Sequence, residues 1–187
     1  MRGPHGAAPE DRTRGTAKGE REPNRERTPS ESVMSAALKL LATRSYSEGE
    51  LRDRLARKGW TEVAVVADCI ERLKELGYID DDLFAHSYAS YRVRSKPVGR
   101  ARLRRELATK KVPPASIDRA LDLVFGEAEE ESLIDKAIAR RVRTHGNPKD
   151  RAAAKRMFDH LARLGFEFDL IARKLRALKS GTEDNDE

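Results

Sequence analysis

Residues 103–124 read LRRELATKKVPPASIDRALDLV. Leu103, Leu107 and Val112 stand on one side of a Pro113-Pro114 break, and Ile117, Leu121 and Val124 on the other. Apolar residues spaced by three to five positions line one face of a helix, so the stretch predicts two amphipathic helices whose stripes meet across a short connection. The pattern recurs upstream, where Leu51, Leu55 and Trp60 precede Val66, Ile70 and Leu73, with one extra residue in the turn. It recurs downstream as Met157, Leu161 and Phe166 before Ile171, Leu175 and Leu178.

A repeat of a little over fifty residues dictates architecture before any local motif does. Each helix pair follows another helical run, Val33–Arg44, Asp82–Arg94 or Ala128–Thr144, which makes three tandem three-helix repeats at 33–79, 80–126 and 127–179. No stretch shows the alternation of β-branched and polar residues that marks a strand, so the expected fold is all-α, an elongated array. One repeat has too small a core to be stable alone, and stacking on its neighbours supplies the rest. Residues 1–32 are rich in Gly, Pro, Thr, Arg and Glu and almost lack large apolar side chains, so they are expected to be disordered. The acidic tail 180–187, after a Ser180-Gly181 stop, is expected to be the same.

Helix ends carry their own chemistry. Ser47 and Glu50 have capping-box spacing, Asp80, Asp81 and Asp82 supply N-cap oxygens, and Glu129, Glu130 and Glu131 lie near a third start. Gly59, Gly77, Gly146 and Gly165 sit where C-terminal caps are wanted, and Pro97, Pro113, Pro114 and Pro148 stand at or before new helices.

With 38% hydrophobic, 37% charged and 5% aromatic residues, the chain suits thin helical layers better than the thick apolar centre of a large enzyme fold. The net charge of +6 points towards phosphates or an acidic protein surface. That excess sits in residues 80–126, with ten basic against six acidic groups, and in 127–180, with thirteen against nine. One cysteine, Cys69, makes no internal disulfide, and with no signal-peptide core or long apolar segment the expected location is the cytoplasm, away from membranes.

The run from Tyr91 to Lys111 is the most informative local feature. Arg92, Arg94, Lys96, Arg100, Arg102, Arg104, Arg105, Lys110 and Lys111 face Glu106 as the single acid. On a helix starting near Val98, Arg100, Arg104 and Lys111 fall on one flank while Leu103 and Leu107 turn inward, giving a ridge able to fork onto phosphate or carboxylate oxygens. A solvated helical face is the bland reading, and the shortage of interleaved acids argues against it. Arg140, Arg141 and Arg143 form a second basic cluster, which complementation of a helix C-terminus would also explain. Tyr88 and Tyr91 are three apart and could stack on a base, but with Leu83, Phe84 and Ala85 they are expected to form a core stripe; Trp60, Phe166 and Phe168 are expected to close the cores.

Catalytic signals are lacking. There is no Walker loop, His-Glu-x-x-His or cysteine pair, so no catalytic residue, metal site or cofactor is expected. Asp82 and His86 lie one helical turn apart, without a third ligand.

Taken in order and spacing, these residues resemble the RecX family of bacterial recombination regulators across about 33–178. The resemblance is carried by Arg44-Ser45-Tyr46-Ser47-Glu48 with Glu50-Leu51-Arg52 and Leu55, by Leu76-Gly77-Tyr78-Ile79-Asp80-Asp81 with Phe84-Ala85, and by Gly99, Arg102-Leu103-Arg104 and Glu106-Leu107. Arg163-Leu164-Gly165-Phe166 and Ile171 extend it. The long N-terminal extension departs from shorter members, and Lys111-Val112-Pro113-Pro114 stands where a glycine and a hydroxyl cap are expected. The resemblance implies a curved, modular protein, monomeric, that lies in the groove of the RecA filament on single-stranded DNA. It implies inhibition of ATP hydrolysis, strand exchange and co-protease activity. The rival is a direct DNA-binding module, since three-helix units resemble helix-turn-helix domains. On either reading the partner-binding residues are Arg92, Arg94, Lys96, Arg100, Arg102, Arg104, Arg105, Lys111, Arg140, Arg141 and Arg143.

Overall fold

The structure is a computed structural model that describes residues 28–183. The expected disordered stretches fall mostly outside these residues. The chain forms α1 (Pro29–Leu41), α2 (Glu48–Arg57), α3 (Val63–Glu75), α4 (Asp81–Ser95), α5 (Arg100–Thr109), α6 (Pro114–Val124), α7 (Glu127–His145), α8 (Arg151–Leu164) and α9 (Phe168–Glu183). No strand occurs among the described residues. The main packing is of α1 with α2 and α3, of α4 with α5 and α6, and of α7 with α8 and α9, which gives the three-helix groups.

The repeated apolar positions are the core. Leu51, Leu55, Val66, Ile70 and Leu73 are buried in the first repeat, with Val33 and Ala37 of α1 beneath them and Trp60 half-buried at the edge. Leu103, Leu107, Val112, Ile117 and Leu121 join Met157, Leu161, Phe166, Ile171 and Leu175 in one continuous apolar cluster, so repeats 2 and 3 share a core. Repeat 1 keeps a core of its own.

Three helix ends and two aromatic positions differ from expectation. Helix α1 begins at Pro29 because Thr28 and Glu31 form a reciprocal capping box, with N–H to side-chain distances of 2.9 and 3.2 Å. Helix α9 runs through Ser180 and Gly181 to Glu183. Ser47 accepts the Glu50 amide at 3.1 Å, but the Glu50 carboxylate turns to Arg44 at 3.1 Å, so only half a capping box forms. The aromatic stripe on α4 is partial: Phe84 and Tyr88 stack with centroids 6.4 Å apart, whereas Leu83 and Tyr91 are exposed. Ala85 and Ala89 take the buried positions because α6 crosses too closely for larger side chains. Phe168 is also exposed, its ring against Phe158 at 5.7 Å rather than within the core.

The second helices of the repeats meet end to end. The α2 start docks on the turn after α5: Ser47 Oγ donates to the Lys110 carbonyl, and a Cβ on Gly49 would come within 2.5 Å of Lys111 Cβ. The α5 start docks likewise on the turn after α8, where the Gly99 and Ala101 amides donate to the carbonyls of Leu164 and Gly165 at 2.9 and 3.2 Å. Positive helix starts thus face negative helix ends along α8, α5 and α2, a favourable dipole arrangement. An acid from the next repeat's first helix completes each joint. Asp81 accepts the Glu48 amide at 2.9 Å; Glu130 faces the Arg100 amide. Burial pushes both carboxyls above their ordinary range, against the lowering effect of those amides.

Candidate partner-binding surface

The second repeat supplies more acids in space than along the chain. Glu106 is a hub: Arg92 donates through Nε at 2.8 Å and a terminal nitrogen at 3.0 Å, Arg102 Nε donates at 3.0 Å and the Tyr88 hydroxyl at 3.1 Å. The Arg92 bond, with those from Arg102 and Tyr88, brings the Glu106 carboxyl down to about 2 despite partial burial. Arg100 pairs with Asp122 and Arg104 with Asp118, both acids on α6. Lys111 reaches Asp53 of α2 at 2.6 Å. Lys110 lies 3.7 Å from Glu50 and caps the Tyr88 ring at 5.0 Å.

Of the sequence-derived partner residues, Arg92, Arg100, Arg102 and Arg104 therefore hold repeat 2 together and Lys111 ties it to repeat 1, as well as carrying charge. Among the described residues, Arg94, Lys96, Arg105, Arg140, Arg141 and Arg143 make no ion pair. The acids on α6 escaped a count along 91–111 because they are brought opposite α5 only by the turn at Lys111–Pro113.

Lys96, Arg140 and Arg141 come together from distant positions. They line a cleft of about 300 Å³ between the α4–α5 link and helices α7 and α8, with Thr144, His160, Pro97, Ala137 and Leu164. Sequence reading missed His160, whose α8 position acquires meaning only when α7 packs beside it. Burial holds its imidazole below the ordinary range, helped by repulsion from Arg141, Arg163 and His145.

Other candidate chemistry is spoken for. Asp82 takes Arg119 at 2.6 Å and His86 lies against Ser90, and no cluster of His, Cys, Asp and Glu among the described residues could hold a metal. Cys69 is buried. No helix among the described residues is long and apolar enough to cross a membrane.

Residues 34–73 match the family model for the first three-helix domain of RecX, and residues 80–121 match that for the second. A regulatory protein RecX of Halorhodospira halophila is 34% identical over 159 residues, 84% of this chain and 92% of that one. That of Chlorobaculum tepidum is 31% identical over 145 residues, 78% of this chain and 87% of its own. The crystal structure of RecX from Lactobacillus salivarius superimposes with a TM-score of 0.72 at 19% identity, covering 80% of this chain and 96% of that one, a likeness of fold.

Proposed function

Since the chain belongs to the RecX family of regulatory proteins, we propose that it is a negative regulator of recombination that binds the RecA filament on single-stranded DNA and inhibits its ATP hydrolysis, strand exchange and co-protease activity. It works by binding, in the cytoplasm and as a monomer, without cofactor or catalytic step. The observation that carries this reading is the group of cations that make no ion pair among the described residues, Arg94, Lys96, Arg105, Arg140, Arg141 and Arg143, on the second and third repeats. Charge left uncompensated on a rigid helical scaffold steers an anionic partner and fixes its orientation. Arg92, Arg100, Arg102, Arg104 and Lys111 contribute to the same positive field from within their pairs. A row of repeats presents such groups over several helices, as contact with neighbouring filament protomers requires.

The test is RecA's single-strand-dependent ATP hydrolysis titrated with the protein. Saturable inhibition at amounts below those that coat the free DNA supports the proposal. The rival reading is direct DNA binding, favoured by the Arg-rich α5. It requires tight binding to naked oligonucleotides, steeply weakened by salt, and inhibition only through competition for the strand.

A further inference from the structure

We propose that the cleft between the α4–α5 link and helices α7 and α8 is a phosphate-binding site that takes a backbone phosphate of a nucleic-acid strand and thereby ties repeat 2 to repeat 3. The proposal rests on the regulator reading, to which it adds a ligand and a place. Lys96 comes from one repeat and Arg140, Arg141, Thr144 and His160 from the next, and among the described residues no acidic side chain lines the cleft. Like charges gathered at a partly shielded site repel one another, and an anion relieves that repulsion. Two arginines offer forked donors matched to a tetrahedral oxyanion, Lys96 adds a point charge, and the Thr144 hydroxyl can turn its hydrogen from the Arg141 carbonyl, where it lies at 3.0 Å. Pro97, Ala137 and Leu164 give an apolar floor that strengthens such contacts. A volume of about 300 Å³ admits a phosphate with its ester oxygens.

His160 reports on occupancy. Burial first, then repulsion from Arg141 on α7, Arg163 on its own helix and His145 on α7, favour its neutral ring, and Lys96 and Arg140 also line the cleft. Asp159, next to it on α8, is paired with Lys155 at 2.8 Å. A bound phosphate reverses the local field and favours the imidazolium, so binding draws a proton and tightens as pH falls. A phosphodiester keeps its charge throughout the range from about pH 7.5 to about pH 6, so the effect belongs to the protein.

The experiment uses the full chain without recombinase. Binding of fluorescent oligothymidylate is measured by anisotropy, and the His160 ring resonances are followed during titration with oligothymidylate, its uncharged methylphosphonate analogue, pyrophosphate and polyglutamate. Lys96→Gln/Arg140→Gln/Arg141→Gln is compared with the charge-matched Arg54→Gln/Arg57→Gln/Lys58→Gln on repeat 1, after circular dichroism has shown both to be folded. The cleft variant is expected to lose about tenfold or more in affinity and to lower the salt slope by about one to two, the control far less. Oligothymidylate should move the His160 resonances and the methylphosphonate should not, and His160→Asn should abolish the tightening at low pH. Equal losses in both variants, or an unmoved His160, would overturn the site. Pyrophosphate alone moving His160 would overturn the strand as its ligand, and polyglutamate acting as strongly as oligothymidylate would overturn phosphate. Inhibition of RecA, measured separately on the same variants, decides the regulator reading independently: retained inhibition with lost oligonucleotide binding leaves that reading standing and removes the cleft from it.

Discussion

The Gly99 amide donates to the Leu164 carbonyl at 2.9 Å, and a Cβ on Gly99 would lie 2.3 Å from the carbonyl carbon of Gly165. Residues from the second and third repeats meet backbone to backbone here, and between the first and second Gly49 approaches Lys111 as closely, with the Lys111 Cβ 2.5 Å and its carbonyl oxygen 2.9 Å from where a Gly49 Cβ would be. The incoming helix start carries a glycine in both joints. The α8 start, Asp150-Arg151-Ala152, has none, so the row has no third joint of this kind to offer.

Gly99→Ala should destabilise the protein by about 2–4 kcal/mol, because fixed backbone rather than a movable side chain fills the space. Its φ of −86° suits alanine, so the cost is steric alone. Gly126→Ala is the control, having a similar φ of −79° and nothing within 4 Å of its Cβ. Urea unfolding should separate them, and similar midpoints would contradict the joint.

Leu103→Asp and Leu107→Asp should each cost several kcal/mol, since both leucines are fully buried where repeats 2 and 3 share a core. Thermal melts should show the loss, with the smaller core of repeat 1 unfolding separately.

Glu106 makes stability depend on acid. Its carboxyl lies at about 2 in the folded chain against an ordinary 4.5, so its contribution is fully present above the unfolded value and is lost as pH falls through the folded one. The shift corresponds to about 3 kcal/mol at most. Glu106→Gln should lower stability at neutral pH and flatten the loss between about pH 5 and about pH 2, as followed by urea midpoints against pH.

Removing residues 1–27 should leave helicity and inhibition almost unchanged, whereas removal of 1–32 also takes the Thr28–Glu31 capping box and the first turn of α1. The second deletion should cost about 1 kcal/mol or more, comparable to losing an N-cap. Circular dichroism melts of the two truncations provide the comparison.

Period and order were legible in the sequence wherever one residue type performed one task. The spacing of Leu51, Leu103 and Met157 placed equivalent core positions in three repeats, and all three are buried. The joints were not legible, because Gly49 and Gly99 look like ordinary helix-start residues until another chain segment lies 2–3 Å from where their Cβ would be. The turn at Lys111 was legible: a glycine is expected there, and the φ of +58° is the left-handed conformation a glycine adopts, taken here by a lysine held to Asp53. At the candidate surface the sequence identified the cations but not their pairing, since Asp118 and Asp122 meet Arg104 and Arg100 only in the folded repeat.

On the proposed function, Arg94, Arg105 and Arg143, unpaired among the described residues and outside the cleft, meet a recombinase filament rather than bare DNA. Co-sedimentation with RecA filaments assembled on single-stranded DNA, beside the same DNA alone at matched salt, tests it most directly. Saturable enrichment on the filament is expected, lost in Arg94→Glu/Arg105→Glu/Arg143→Glu at unchanged thermal stability. Equal recovery on naked DNA and on filaments, or a charge-reversal variant that binds the filament as the wild type does, would contradict it.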